Sequence, residues 1–390
     1  MASEGHALFK VPETPLPIRC SALRLLCLGA IALAGTLGCV DRNDGAGLYL
    51  FDNASRTVQV WQDLEQLHSA ARSGGEIPKP VRAIKSSLFR GLSLAWGGMA
   101  LDGFRHRLYL VSEDGKVHVI LNPANRDGEL SRPSDIISFS LGASGDRLRG
   151  GSVFGQAALD PGKDILYVVE NARDGDETRL WQVANASKVA NHATVARDEH
   201  SILKAEGDRQ GAGVAAGPFH RVYALFGGGE VYEDDRGAQS LRGPRLRQGT
   251  AGAFPASLQH RRPMHTLMGP GTRLPDPLGH GSLAYDGRQH ELYVLVPPGD
   301  AGRTAILVFG DGQFNGRHDQ APARTLPDPP RDLRILARPW DGNWMLGAAG
   351  TASGGRGALY LWKAPHEGGG HVEVPNLPGV TDIRGMAAAS

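Results

Sequence analysis

DIRGMAAAS (382–390), the last nine residues, is an opening without a continuation. MALD (99–102), AALD (157–160) and LAYD (283–286) each begin a unit in which an apolar strand centred on tyrosine follows within a few residues. The tail has the same small-residue character and nothing after it. GLYLF around Tyr49 is the reverse case, a tyrosine strand preceded only by VDRNDGAG. Each end of the chain supplies what the other lacks. The tail is therefore expected to hydrogen-bond beside the stretch containing Tyr49, which leaves no open edge at either end.

Six segments share the aromatic strand: GLYLF at Tyr49, RLYLV at Tyr109, ILYVV at Tyr167, RVYAL at Tyr223, ELYVLV at Tyr293 and NWML at Trp344. Subtraction gives successive spacings of 60, 58, 56, 70 and 51. A period of that size, carrying several strands per unit, belongs to propeller blades rather than to helical repeats. The small-residue strand precedes the aromatic one at hairpin distance. A third strand follows at TVQVW (57–61), KVHVI (116–120), RLWQV (179–183), EVYE (230–233), AILVF (305–309) and ALYLW (358–362). Fourth, more polar strands are expected at KPVRAI (79–84), PSDIISF (133–139), HATVA (192–196), APARTL (321–326) and HVEVP (371–375). Proline near several of these suits an outer edge, where a missing N–H donor costs little. The expected fold is all-β: a six-bladed β-propeller of four-stranded antiparallel blades, closed by pairing of the C-terminal strand with the N-terminal blade. Two units depart from the pattern. AAGPFHRVYALF (215–226) lacks the aspartate, and LARPWDGNWML (336–346) places Asp341 three residues before Trp344.

Composition agrees. Hydrophobic residues make up 41% and charged residues 21% of 390, an ordinary globular balance. The 53 Gly and 25 Pro have no collagen period and suit many short strands joined by turns. Lys plus Arg number 42 against 41 Asp plus Glu, so no global charge draws the chain to nucleic acid.

The N-terminus reads as an export signal. LLCLGAIALAGTLG (25–38) is an apolar run behind Arg19 and Arg24, short for a membrane span and sized for a signal-peptide core. TLGC (36–39) resembles the bacterial lipobox, although Thr36 stands where leucine is usual. That resemblance implies lipidation of Cys39 and removal of the preceding residues. Cys20 and Cys27 lie in the removed part, leaving Cys39 as the one mature cysteine. The domain reading is thus signal peptide 1–38, tether 39–46 and propeller 47–390. The expected location is the bacterial cell envelope, with the lipid anchor in the membrane and the domain facing the periplasm or the exterior.

NGRHDQAPARTLPDPP (315–330) and GEIPKPVRAIKSS (75–87) each lie between a third strand and the next opening strand. They resemble the NHL-type propeller repeat, in particular that of bacterial surface lipoproteins. Such motifs are structural and imply a fold rather than an activity.

The usual catalytic constellations are missing: the chain has no HExxH, CxxC, Walker loop or GxSxG. SILK (201–204) matches a loose four-residue pattern, and His260, His265, His366 and His371 sit in Gly/Pro-rich surroundings without the carboxylate companions expected of a catalytic metal site. ENARDGDET (170–178) offers Glu170, Asn171, Asp174 and Asp176 as hard oxygen ligands about a glycine, a candidate calcium loop without EF-hand spacing, which an Asp-Gly hairpin explains equally. In propeller hydrolases similar to gluconolactonases and paraoxonases, carboxylates and an asparagine converge on an axial metal, and here only Glu170 and Asn171 suggest such a group. The interval from Tyr223 to Tyr293 reads as carrying an insertion. Between 236 and 275 it holds seven arginines and no Asp or Glu. Of these Arg242, Arg245, Arg247, Arg261 and Arg262 are candidates to grip phosphate or carboxylate groups. The expectation is a monomeric, non-catalytic binding or scaffold module with no required cofactor. Its partner is an envelope protein, polymer or small ligand. The alternative is a lactonase-like hydrolase with an axial divalent metal.

Overall fold

Each repeat contributes a meander of antiparallel strands, because consecutive apolar segments separated by tight turns pair with their sequence neighbours. A computed structural model describes residues 47–142, 152–172, 177–195, 201–206, 211–217, 221–226, 230–232, 250–255, 265–267, 269–274, 281–296, 304–314, 319–339, 342–349 and 357–388. These form a β-propeller built of hydrogen-bonded sheets, numbered here I to VI in chain order. The inner strands are Ile383–Ala388 in I, Leu94–Asp102 in II, Ser152–Asp160 in III, Gly211–Ala216 in IV, Ser282–Asp286 in V and Leu333–Ala337 in VI. The aromatic strands come next, and the third and fourth strands lie outside them.

Sheet I is assembled from both ends of the chain. Ile383–Ala388 runs antiparallel to Leu48–Asp52, with Tyr49 opposite Ala387 and Leu50 opposite Met386. Asp52 reinforces this contact: its Oδ1 accepts the N–H groups of Thr381 at 2.9 Å and Asp382 at 2.7 Å, and its Oδ2 accepts that of Ser55 at 2.9 Å. Burial by itself would raise the Asp52 carboxyl, but hydrogen bonds from Ser55, Asp382 and Thr381 outweigh it and hold the group below its ordinary value.

Apolar cores fill the spaces between sheets. Phe51 and Val60 meet Leu94 and Leu108 between I and II. Tyr109 and Val119 meet Leu166 and Trp181 between II and III. The same arrangement recurs with Tyr167 against Val214, Tyr223 against Leu292 and Tyr293 against Met345. Another core joins sheet VI to sheet I, through Leu346 and Leu361 against Leu48 and Leu50. The recurring tyrosines are buried in these layers, and strands covered on both faces need no alternation of polar with apolar residues. Among the described residues one α-helix, Leu64–Ser73, follows the third strand of sheet I. Asp63 caps it by accepting the Gln66 N–H at 3.0 Å, and Gly74, with φ of 68°, ends it in the left-handed region. Its buried residues Leu64 and Leu67 enter the core between VI and I.

The aspartates that end inner strands hold the next turn. Asp102 accepts the N–H groups of Phe104 and Arg105 at 3.1 and 3.0 Å. Asp160 accepts that of Lys163 at 3.1 Å, and Asp286 those of Arg288 and Gln289 at 2.9 and 3.1 Å. Each turn closes through a non-glycine residue at positive φ: His106, Asp164 and His290.

Three expectations need correction. Blades of four strands were expected, but sheets I, II and III have five. Gly128–Leu130 adds parallel to Arg82–Ser86, Thr194–Val195 adds parallel to Ile136–Leu141, and Glu230–Tyr232 adds antiparallel to Ser201–Glu206. Each addition comes from the chain of the following unit, so an outer edge with unpaired backbone groups captures a segment passing beside it. HATVA and EVYE are therefore not strands of their own units. The fourth strand of sheet III is Ser201–Glu206, which contains SILK, and the third strand of sheet IV is Thr250–Pro255. The interval 236–275 is likewise not a plain insertion, because Thr250–Pro255 and His265–Leu267 complete sheet IV.

Candidate functional site

The inner strands are not regular along their length. Five of them slip register against the aromatic strand near their beginnings. Arg384 is unpaired in I, Ala95 to Gly98 in II and one residue of the Gly155–Gln156 pair in III; Ala212 and Arg334 are unpaired in IV and VI. Ser282–Asp286 of sheet V pairs without a shift. An extra residue bends its strand and re-aims a side chain. At this level the side chains cross the axis instead of only packing between sheets.

Gln156 makes the crossing. Its Nε2 donates to Leu283 O at 2.8 Å and Leu336 O at 3.4 Å. Its Oε1 accepts from Val214 N–H at 3.2 Å, Leu283 N–H at 3.0 Å and Ser282 Oγ–H at 3.2 Å. One side chain of sheet III thereby ties IV, V and VI together. Two glycines make room for it. A Cβ at Gly97, where φ is 69°, would lie 3.1 Å from Gln156 Cγ, and one at Gly213 would lie 2.7 Å from Oε1. Both amide atoms are committed, so Gln156 is a floor and holds no free donor or acceptor for chemistry.

Below this floor lies a cavity of about 130 Å³. Its walls are the later parts of the inner strands: Met99 and Leu101, Ala157 to Leu159, Ala215 and Ala216, Ala284 and Tyr285, Ile335 to Ala337, and Met386 to Ala388. Alanine recurs because the inner strands converge there and larger side chains would close the space.

Arg338 borders the cavity where the Asp of the repeat is missing. Its side chain is 1% exposed and pairs with Asp286, also 1% exposed, through Nη2, which donates as well to Gly342 O at 3.1 Å. The guanidinium lies 5.5 Å from the centre of the Tyr293 ring. Nε and Nη1 have no hydrogen-bond partner among the described residues. Burial pushes the guanidinium below its ordinary value despite Asp286, Tyr293 and Glu291. Nearby, Tyr293 Oη donates to Glu291 at 2.8 Å and accepts from Arg324 Nη2 at 3.1 Å. Arg324 also pairs with Glu291 and donates from Nη1 to Pro365 O at 2.6 Å.

Glu170 and Asn171, the first two candidate calcium ligands, end the aromatic strand of sheet III. Glu170 is buried and its Oε2 accepts from Trp181 Nε1 at 2.8 Å. Asp174 and Asp176 lie outside the described residues, as do Cys39 with the signal and tether, and Arg242, Arg245, Arg247, Arg261 and Arg262. Among the described residues no three His, Cys, Asp or Glu side chains group to hold a metal ion, and no helix is long and apolar enough to cross a membrane. Gln156 and Arg338 were missed from sequence. The available signals were a lone amide in GQAALD and an arginine where neighbouring units put aspartate.

No family model and no curated protein matches the chain. Solved structures do resemble it at low identity. Dihydro-heme d1 dehydrogenase NirN in complex with DHE is 12% identical, with a TM-score of 0.41 over 88% of this chain and 75% of that one. A protein of unknown function from Bacteroides caccae is 11% identical, with a TM-score of 0.47 over 88% and 99%. Kuenenia stuttgartiensis hydrazine synthase is 7% identical, with a TM-score of 0.37 over 70% and 64%. At these values the fold assignment rests on the chain's own sheets.

Proposed function

We infer that this chain is a propeller of six blades closed into a ring, tethered to a membrane through Cys39, and that it works as a non-catalytic binding module in the cell envelope. The count is supported by the separate sheets with their inner strands, and closure by the core between VI and I and the pairing of Leu50 with Met386. The observation that carries the binding reading is the axis. A hydrolase of the lactonase kind needs carboxylates and amides converging there with free oxygens. Here the axial amide, Gln156, is committed to backbone on three sheets, and Asp102, Asp160 and Asp286 hold turns. What is left is a small cavity walled by alanine, leucine and methionine, the composition of a binding site. The arginines at 242, 245, 247, 261 and 262 supply oxyanion contacts in this reading.

The test is hydrolysis of aliphatic and aromatic lactones by the purified mature chain, with calcium and with chelator. A binding module leaves the rate at the buffer background in both. Calcium-dependent turnover would overturn the reading. The tether is tested separately by fractionation: the wild-type chain pellets with membranes and Cys39→Ser is released, whereas a wild-type chain in the soluble fraction would remove the anchor.

A further inference from the structure

The bulged ends of three neighbouring inner strands carry two arginines and a tryptophan, Trp96, that is partly buried against the core between VI and I. Positions on the inner strands are otherwise mostly Ala, Leu, Val, Met or Gly, yet the residue left unpaired in VI is Arg334 and that in I is Arg384. Sheet II, whose inner strand contacts both, has Trp96 inside its bulge. The three stand at the same level. Gly97, next to Trp96, approaches both Gln156 and Ile335, and Ile335 follows Arg334. They therefore sit on the side of the Gln156 floor opposite the cavity, where the inner strands begin.

Their partners are few. Arg334 is exposed and has no hydrogen bond or ion pair among the described residues. Arg384 stacks its guanidinium carbon 4.0 Å from the centre of the Trp96 ring and meets Asp382 only through Nε, at 3.4 Å. Asp382 Oδ2 also accepts Asn53 Nδ2 at 3.0 Å, and its Oδ1 is buried with no hydrogen-bond partner among the described residues. The Nη groups of Arg384 are thus without a partner among the described residues, while the indole fixes the plane of the guanidinium. Asp332, half-buried, immediately precedes the inner strand of sheet VI. A guanidinium held flat on an aromatic ring with its outer edge free is arranged to receive a planar or tetrahedral oxyanion.

We propose that this mouth of the axis binds a carboxylate- or phosphate-bearing ligand, with Arg384 and Arg334 on the oxyanion and the Trp96 ring under the adjoining apolar part. The proposal deepens the binding-module reading and rests on it. It separates the two sides of the floor: an oxyanion at the bulged mouth, apolar matter in the cavity beyond.

The experiment is titration calorimetry of the purified mature chain with inorganic phosphate and, in a second arm, with vesicles of phosphatidylglycerol in phosphatidylcholine. Saturable phosphate binding assigns a free oxyanion; binding of the vesicles alone assigns a lipid headgroup. In either case Arg384→Gln and Arg334→Gln should each weaken binding at least tenfold, Arg384→Lys should fall between, and Trp96→Phe should abolish the change in tryptophan fluorescence on binding. Circular dichroism and melting establish that each variant is folded. The same affinity in a folded Arg334→Gln/Arg384→Gln double variant would overturn the site, as would a folded wild-type chain that binds neither probe. Lactone turnover with intact phosphate binding would instead sink the binding-module reading and leave the mouth standing.

Discussion

Two junctions of the propeller solve the same problem with different chemistry. Sheets V and VI are consecutive in the chain and are joined through charge: the buried pair of Arg338 with Asp286, Arg338 beside the Tyr293 ring, and the part-buried Arg324, which donates to Pro365 O. Sheets VI and I meet where the chain ends meet, with Leu64–Ser73 laid against the fourth strand of VI. That seam uses backbone pairing, an apolar core and the Asp52 carboxylate on the N–H groups of Thr381 and Asp382. Asn53 N–H adds a bond to Asp382 O at 2.8 Å, and Gly357 N–H one to Thr381 O at 2.7 Å. A buried ion pair pays desolvation for its attraction, whereas main-chain bonds exchanged for solvent bonds leave few uncompensated groups. The seam, which lacks covalent continuity, relies mainly on main-chain bonds and apolar packing, and the one buried carboxylate it uses, Asp52, is met by several N–H donors.

Breaking the charged junction is expected to have the larger effect. Arg338→Ala leaves Asp286 buried with no countercharge, at a cost of about 3–5 kcal/mol. Arg338→Met with Asp286→Asn removes both charges and keeps an acceptor for the turn, so most of that loss returns. Denaturant unfolding of the single and double variants measures both, and an additive double variant would show that the pair is not coupled. At the seam, Asp52→Ala removes an acceptor of several N–H groups and is expected to cost about 2–3 kcal/mol. The pH dependence has a definite sign. The Asp52 carboxyl is held below 3.8, so its contribution is complete at neutral pH and is lost as the pH falls below 3.8 through the folded value. Unfolding of Asp52→Ala should be less acid-sensitive in that window, and an unchanged acid slope would contradict the role given to the carboxylate. The smallest effect belongs to Lys363 and Glu65, 2.7 Å apart across the same junction but about half exposed. Lys363→Ala should change stability by no more than about 0.5 kcal/mol, and that only at low salt.

Much of this was legible because it is repeated. The tyrosine strands, the aspartate turns and the incomplete tail recur with enough spacing and chemistry to be recognised. Sheet IV was not, since TAGAFP (250–255) carries one aromatic and, apart from Thr250 at its edge, no β-branched residue to mark it as a strand, and it lies among arginine-rich segments. HATVA and EVYE have strand composition, but nothing local tells a short strand which sheet edge it will join. The axis was the least readable part. A bulge is a register difference between two strands, settled by what the neighbours' side chains require, so the crossing of Gln156 and the turning of Arg334 and Arg384 have no signature within either strand alone. Arg338 shows how a departure can be informative: the unit that lacks its turn aspartate in LARPWDG is the one that pairs with the aspartate next door.

The proposed closure of the ring is tested most directly by a cross-link at the seam. In a Cys39→Ser background, Leu50→Cys and Met386→Cys place two thiols at directly opposed positions of an antiparallel pair, within the Cα separation a disulfide spans. Mild oxidation should give a monomeric, faster-migrating species, reversed by reductant, in high yield from folded protein. Failure of the folded double variant to form that bond, or formation only between separate molecules, would contradict closure of the chain on itself.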